Sequence, residues 1–186
     1  MNITFLTGLL GSLVLVTGAA WPESLRPQKP IRSVKDWLFA MGGLIMLAYA
    51  ILGYLQGGAI FFIFLEVLVA IASVLMMLDT DDRIDAAVIS VSSLGLVIWS
   101  LFLFEGYSTV VFIVGLCGVG LGYAFTEGTF RRSVALTLGS ALIAIFSFTE
   151  GSWVFFWLNV FFALFSGYYL AKEILAYGRR HRRKNK

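Results

Sequence analysis

Hydrophobic residues fall in seven long runs along the chain, and short polar segments separate them. The runs cover residues 3–20, 37–55, 59–78, 86–104, 108–126, 133–148 and 152–172. A helix needs about 20 apolar residues to cross a hydrocarbon core of about 30 Å, and most of the runs reach that length. The pattern therefore predicts an all-α membrane protein with seven transmembrane helices. Because no Lys or Arg precedes the first run, we expect it to be a retained helix and not a signal peptide.

Composition excludes other classes of protein. The 186-residue chain is 59% hydrophobic and 13% charged, which is not the balance of a soluble domain. Its single Cys and single His, Cys117 and His181, leave no ligand cluster for a metal and no histidine-based triad. We therefore expect no metal, no cofactor and no enzymatic activity. The basic tail is the only feature of the sequence that would attract nucleic acid. Because nothing else supports such binding, we expect no nucleic-acid partner.

The distribution of basic residues predicts the orientation in the membrane. Lys and Arg lie between the first and second runs, between the fifth and sixth, and after the seventh, and all three segments fall on one side. The connections on the other side contain no Lys or Arg. Since basic loops stay in the cytoplasm, we expect an integral protein of the cell membrane with its amino terminus outside and its carboxyl terminus in the cytoplasm. The residues concerned are Arg26, Lys29, Arg32, Lys35, Arg131, Arg132 and the segment 179–186.

The second half of the chain repeats the first. Six residues of the 16-residue window 58–73 recur at identical positions in 151–166, a spacing of 93 residues (159 − 66). The glycine pattern of 5–11 returns in 112–118, and Arg-Ser-Val at 32–34 returns at 132–134, before the sixth run. These identities predict two copies of a three-helix unit.

The copies must enter the membrane in the same direction, because three helices and one linker helix separate their starting points. We therefore expect two parallel three-helix repeats in a 3+1+3 arrangement, related by an axis along the membrane normal. The predicted parts are a first unit at 1–80, a linker helix at 81–106, a second unit at 107–176 and a basic cytoplasmic tail at 177–186. The glycines of the fifth run, Gly115, Gly118, Gly120 and Gly122, are expected to allow close approach of neighbouring helices.

Several short motifs resemble the SWEET, SemiSWEET and PQ-loop transporters. Trp21-Pro22-Glu23 stands where that family closes its first helix with Pro-Gln, and Ser33-Val34-Lys35-Asp36 is similar to the segment that opens its second helix. Trp157-Leu158-Asn159-Val160 resembles the family's Pro-Asn segment, and the tryptophans of this helix are similar to those of the PnuC vitamin transporters. The resemblance implies triple-helix units and a substrate site between them. The family's paired pocket asparagines fall here on Glu66 and Asn159.

Glu66 and Asn159 are the principal candidate site residues. Glu66 lies seven residues into the third run, about 10 Å below the outer surface at 1.5 Å per residue. A carboxylate facing lipid there costs roughly 2.5–3.5 kcal/mol, so we expect it to face a cavity or a partner. Its functional interpretation is a ligand for a substrate cation or a proton acceptor, and the alternative is a carboxyl that hydrogen-bonds helices together. Asn159 offers donors and an acceptor to a ligand, or else links helices.

Aromatic residues supply the remaining candidates. Tyr49 and Trp157 lie deep enough in their helices to stack on a substrate ring, and ordinary packing is the alternative for both. Trp37, Tyr107 and Trp153 lie near helix ends, where an interfacial belt explains them.

Together these features predict a transporter that moves a small polar metabolite by alternating access. A sugar, a nucleoside or vitamin, and an amino-acid-like compound all remain open, as does proton coupling through Glu66. The alternative is a non-transporting membrane receptor or scaffold on the same fold. A membrane-embedded enzyme would need an acid and base pair that Glu66 alone does not provide.

Overall fold

The computed structural model describes residues 3–21, 33–78, 80–126 and 128–184, and the side chains of this part up to residue 175. Within these ranges the chain forms seven helices and no strand. All seven are long and apolar enough to cross a membrane, which confirms the predicted fold class. The helices are α1 (Ile3–Ala20), α2 (Val34–Leu55), α3 (Phe61–Leu78), α4 (Asp82–Phe102), α5 (Tyr107–Ala124), α6 (Phe130–Thr149) and α7 (Trp153–Lys184).

Some residues used in the sequence analysis lie outside this description. Pro22 and Glu23, which carry part of the family resemblance, belong to the segment 22–32, as do three of the basic residues used to predict orientation. The side chains of the basic tail also lie outside it. For these positions the sequence remains the only source of information.

Polar caps explain where three of the helices begin. The side chains of Ser33, Asp81 and Thr129 each accept a hydrogen bond from a backbone N–H in the first turn of α2, α4 and α6. Because Asp81 caps α4, this helix begins four residues before the predicted run at 86–104. α6 likewise begins at Phe130, so the sequence 132–134 lies inside the helix and not before it. α7 continues to Lys184 through most of the predicted tail.

Six of the described helices form a ring, and the remaining helix, α4, lies outside it. Around the ring α1 contacts α2, α2 contacts α3, α3 contacts α5, α5 contacts α6, α6 contacts α7, and α7 closes the ring on α1. Among the described residues, α4 contacts only α3 and α5, and most of its surface faces outward. We call the end of the bundle where α2, α4 and α6 begin the basic end. The other end of the bundle, where α3, α5 and α7 begin, is called the opposite end.

Glycines bring α5 and α6 close together. A Cβ atom added at Gly118 would lie 2.8 Å from the Cα of Gly139, and one added at Gly139 would lie 2.6 Å from the backbone nitrogen of Val119. Gly115 and Gly122 face α6 side chains in the same way, at 2.8 Å from Ile143 and 2.5 Å from Leu136. Gly120 instead faces Ser93 of α4. The predicted role of the glycine-rich fifth helix is therefore confirmed.

A substitution at Gly139 tests this contact. Gly139→Ala should destabilise the protein by about 1–3 kcal/mol, because its methyl group would overlap backbone atoms that cannot rotate away. Gly95→Ala is the matched control: Gly95 lies within α4, and an added Cβ would meet nothing within 4 Å. It should leave stability unchanged or raise it by less than about 1 kcal/mol. Thermal unfolding in detergent measures both, and equal melting temperatures for the two variants would contradict the packing argument.

Candidate functional site

The ring of helices encloses a cavity of about 260 Å³, which we call the central cavity. Its wall follows α3 from Leu65 toward the carboxyl end of that helix, and follows α6 from Ser140 down to Gly128 in the loop that precedes it. Gly128 is exposed, so the cavity extends to the surface at the basic end. Its volume is slightly below the roughly 300–1,000 Å³ typical of small-molecule sites. The space therefore suits a small metabolite.

Glu66 lies in the wall of the central cavity, near its deep end. The residue is 2% exposed. Its Oε2 atom is buried and has no hydrogen-bond partner among the described residues. Buried polar atoms are nearly always hydrogen-bonded, so a carboxyl in this state needs a proton, a cation or a ligand to complete it. Its position meets the expectation that the side chain faces a cavity and not lipid.

Asn159 lies in the same wall and is 5% exposed. Its Nδ2 atom donates to the backbone carbonyl of Phe155 at 2.9 Å, four residues earlier in α7. This bond holds the amide group in place. The carbonyl oxygen and the second N–H make no hydrogen bond to other described residues, so both are available to a ligand.

Every cavity-lining residue of α3 has a counterpart among the cavity-lining residues of α7. Four positions of α3 line the cavity, and the residues 93 positions later in α7 line it too. The spacing that relates Glu66 to Asn159 therefore also relates the walls around them. The pairs are Leu65 and Leu158, Glu66 and Asn159, Val69 and Phe162, and Met76 and Tyr169.

The other helices pair across the cavity as well, but with a different register from the one their identities suggest. Lining residues of α1 and α5 differ by 104 positions (119 − 15 and 123 − 19), where the glycine motifs gave 107 (112 − 5). Those of α2 and α6 differ by 97 (132 − 35, 133 − 36 and 136 − 39), where Arg-Ser-Val gave 100 (132 − 32). In both cases the spacing between identical residues exceeds the spacing between cavity-lining residues by three, which is close to one helical turn.

Aromatic side chains fill the bundle beyond the deep end of the cavity. This aromatic cluster consists of Tyr49, Phe61, Phe62, Phe112, Phe146 and Phe155. At its centre Phe62 and Phe155 stack with their ring centroids 4.3 Å apart and their planes 3° from parallel. Each precedes a principal site residue by four positions, or one helical turn. The cluster therefore separates Glu66 and Asn159 from the opposite end of the bundle.

The contacts of the aromatic cluster repeat across this stacked pair. Tyr49 of α2 meets Phe155 of α7 at 5.2 Å, and Phe146 of α6 meets Phe62 of α3 at 5.4 Å. Phe146 is 97 positions after Tyr49, which is the spacing that relates α2 to α6 around the cavity. The same two spacings thus describe both the cavity and the cluster that closes it.

Tyr49 and Trp157 do not line the central cavity, contrary to expectation. Tyr49 packs in the aromatic cluster and against Gly8 of α1, where a Cβ would lie 2.8 Å from its ring. Trp157 is 54% exposed on the outside of α7 and contacts Phe156. It lies two positions before Asn159, so the two side chains point to different faces of the helix. The sequence analysis selected these residues by their depth along the helix. Whether a side chain reaches the cavity depends also on the face of the helix from which it projects.

The charged residues near the mouth were not among the candidates. Lys35 and Asp36 of α2, Arg132 of α6 and Glu173 of α7 all line the central cavity toward the basic end. Arg132 donates from a guanidinium nitrogen to the backbone carbonyl of Phe125 at 3.2 Å. These four residues are two basic and two acidic side chains, and Glu66 is a third acidic group in the same wall. The sequence presents Lys35 and Arg132 as orientation signals and as parts of short motifs, but their 97-residue spacing (132 − 35) also places them at paired positions of the cavity wall.

Comparison with protein-family models, curated proteins and solved structures finds no significant match to this chain. The fold and the cavity therefore rest on the chain's own geometry, and the resemblance to the SWEET and PQ-loop transporters stays a prediction.

Thiol labelling tests whether the central cavity is open at the basic end and closed at the opposite end. In a Cys117→Ala background, Ser140→Cys should react with a membrane-impermeant reagent from the basic end and not from the opposite end. Adding Phe62→Ala and Phe155→Ala should allow labelling from both ends, because it removes the central pair of the aromatic cluster. Ser147→Cys is the control, since Ser147 is fully buried and lies toward the opposite end of α6. Labelling of Ser140→Cys from both ends with the phenylalanines intact would contradict the assignment.

Proposed function

We propose that this protein carries a small polar metabolite across a membrane by alternating access, with the central cavity as its substrate site. One observation carries the proposal: the polar side chains of Glu66 and Asn159 stand at the deep end of a cavity that extends to the basic end, while the aromatic cluster fills the bundle beyond them. A carrier needs such a site with one open and one closed side. We infer that the conformation described here is the one open toward the basic end.

The paired walls support a mechanism in which two three-helix units move against each other. The units would be α1–α3 and α5–α7, with α4 as the linker, as the 3+1+3 interpretation expects. Constant spacings between paired residues are what a parallel repeat would produce. Opening the other side would then require the units to separate at the stacked Phe62 and Phe155. The resemblance to the SWEET and PQ-loop families points to the same mechanism.

The chemistry of the wall favours a ligand that is cationic, or one that moves together with a proton. Acidic side chains outnumber basic ones by three to two in the wall of the central cavity, and the buried Oε2 atom of Glu66 accepts no hydrogen bond from the described residues. A cationic group would neutralise the carboxylate, whereas a proton would let it donate to a neutral ligand. Aromatic rings of Phe39 and Phe162, 6.2 Å apart, form an apolar part of the wall. We therefore place a polar group of the substrate at Glu66 and Asn159.

A receptor or scaffold with the same fold remains the competing function. Both would bind a ligand in the cavity, but only a carrier releases it on the other side. A thermal-shift screen of the purified protein against sugars, nucleosides, vitamins, amino acids and amines identifies ligands. Uptake of each hit into liposomes then separates the two functions, because a receptor gives a shift without uptake.

Substitutions at the two site residues test the roles proposed for them. Glu66→Gln keeps the shape of the side chain but removes the titratable charge, so uptake should lose its dependence on pH or on the charge of the substrate. Asn159→Ala should weaken binding about tenfold, the effect of losing a hydrogen bond worth about 1.4 kcal/mol, without changing the pH dependence. Liposome uptake at several pH values measures both effects.

Trp157→Phe is the control for these variants. It lies in α7 two residues from Asn159 but outside the cavity, so uptake should match that of the wild type. Melting curves accompany each variant. If Glu66→Gln transports like the wild type but melts at a lower temperature, the carboxyl only stabilises the bundle.

The proposed location is the cell membrane, with the basic end in the cytoplasm. A reporter fused after Lys186 should then read cytoplasmic, and one inserted at Gly57 should read external. Gly57 lies in the turn between α2 and α3 at the opposite end, where an insertion disturbs no helix. The reverse pattern would overturn the proposed orientation and with it the assignment of the open side.

A further inference from the structure

A second cavity adjoins the central one. It has a volume of about 330 Å³, lies at the basic end and involves α4, the helix outside the ring. We call it the side cavity. Its polar wall includes Thr80, Asp82 and Asp85 beside α3 and on α4, and Thr126 after α5. The Thr80 hydroxyl donates to the Asp85 carboxylate, so part of this wall is already ordered.

Three residues line both cavities: Met76 of α3, Tyr123 of α5 and Arg132 of α6. They form the partition between the two spaces. Tyr123 also lies close enough to both Glu66 and Arg132 to interact electrostatically with each of them. Of the three partition residues, Tyr123 thus combines an ionisable hydroxyl with a position near Glu66 and on the wall of the side cavity.

The pairing of a carboxyl with a phenol occurs on one side of the central cavity and has no counterpart at the corresponding positions on the other side. By the spacings that relate the walls, Tyr123 corresponds to Ala19, and Glu66 corresponds to Asn159. The titratable pair therefore exists only on the side where α3 and α5 meet, which is also where the side cavity lies. Symmetric packing does not explain why a carboxyl, a phenol and a second polar cavity should coincide there.

We propose that the side cavity is a separate water and proton route to Glu66, with Tyr123 as the group that links the two. The proposal rests on the proposed function of the central cavity as a substrate site. A substrate that filled the central cavity would cut Glu66 off from its mouth, and the side cavity would keep the carboxyl in exchange with water. In this route a proton leaves the Glu66 carboxyl and reaches the phenol oxygen of Tyr123 through water, while the phenol proton passes to water in the side cavity.

Other titratable and charged groups face these spaces and bear on the same exchange. Lys35, Asp36 and Glu173 line the central cavity, Asp82 and Asp85 line the side cavity, and Arg132 lines both. The experiment therefore follows Glu66 itself and not the pH dependence of the whole protein.

The test blocks each cavity after folding and measures proton exchange at Glu66. In a Cys117→Ala background, Ser166→Cys places a thiol in the central cavity alone, and Ala86→Cys places one in the side cavity alone. A bulky methanethiosulfonate reagent then fills the chosen space in the purified full-length protein. Infrared spectroscopy follows hydrogen–deuterium exchange of the protonated carboxyl, and the band is assigned by its absence in Glu66→Gln. Because modified and unmodified samples are the same folded protein, misfolding does not affect the comparison.

We expect either block alone to change the exchange rate by less than about twofold, and both together to slow it at least tenfold. With the central cavity blocked, Tyr123→Phe should also slow exchange at least tenfold. Tyr169→Phe is its control, because Tyr169 lines only the central cavity, and it should have no effect.

Two results would overturn the proposal. One is a tenfold loss of exchange when Ser166→Cys alone is modified, and the other is the absence of a Glu66 carboxyl band at every pH. Neither readout involves transport. A failure of liposome uptake would refute the carrier function while leaving the route intact, so the two failures are distinguishable.

Discussion

The stacked rings of Phe62 and Phe155 are the contact on which the arrangement of this bundle depends. The pair joins α3 to α7 across the ring; Tyr49 and Phe146 contact it directly, and Phe61 and Phe112 pack against Phe146. It fixes where the cavity ends, and thereby how deep Glu66 and Asn159 lie. An aromatic pair contributes only about 0.5–1.5 kcal/mol beyond the burial of its area. A contact of that size closes one side of the bundle firmly in one conformation without preventing another.

Sequence patterns predicted the fold class correctly, and two of the four candidate site residues, Glu66 and Asn159, lie in the wall of the central cavity. Seven apolar runs became seven helices, since membrane-spanning length and composition leave few alternatives. The spacing that linked Glu66 to Asn159 placed both side chains in one cavity, because six identities in 16 residues determine the register of α3 against α7. Tyr49 and Trp157 were misjudged because depth was considered without the helical face. The charged residues at the mouth were missed because Lys and Arg near helix ends have an orientation role that already explains them.

The three-residue difference between the glycine motif of α1 and the spacing of the cavity wall has a physical cause. Close-packed helices carry glycines three or four positions apart, so sliding one sequence along another by a turn again sets glycine against glycine. Gly11 thus matches Gly118 in the sequence motif, whereas the spacing of the cavity wall sets it against Gly115 (115 − 11 = 104). Short motifs of small residues indicate that helices approach closely. They do not determine which turn faces which, and only the positions around the cavity resolve that.

The peripheral place of α4 gives the surrounding lipid a mechanical influence on the protein. Within the described part of the chain this helix touches only α3 and α5, exposes most of its surface and yet supplies part of the side cavity wall. Helices respond to a change in bilayer thickness by tilting. A tilt of α4 would widen or narrow the side cavity, while the central cavity, walled by the six ring helices, would keep its shape. Membrane thickness would therefore act on one of the two spaces and not on the other.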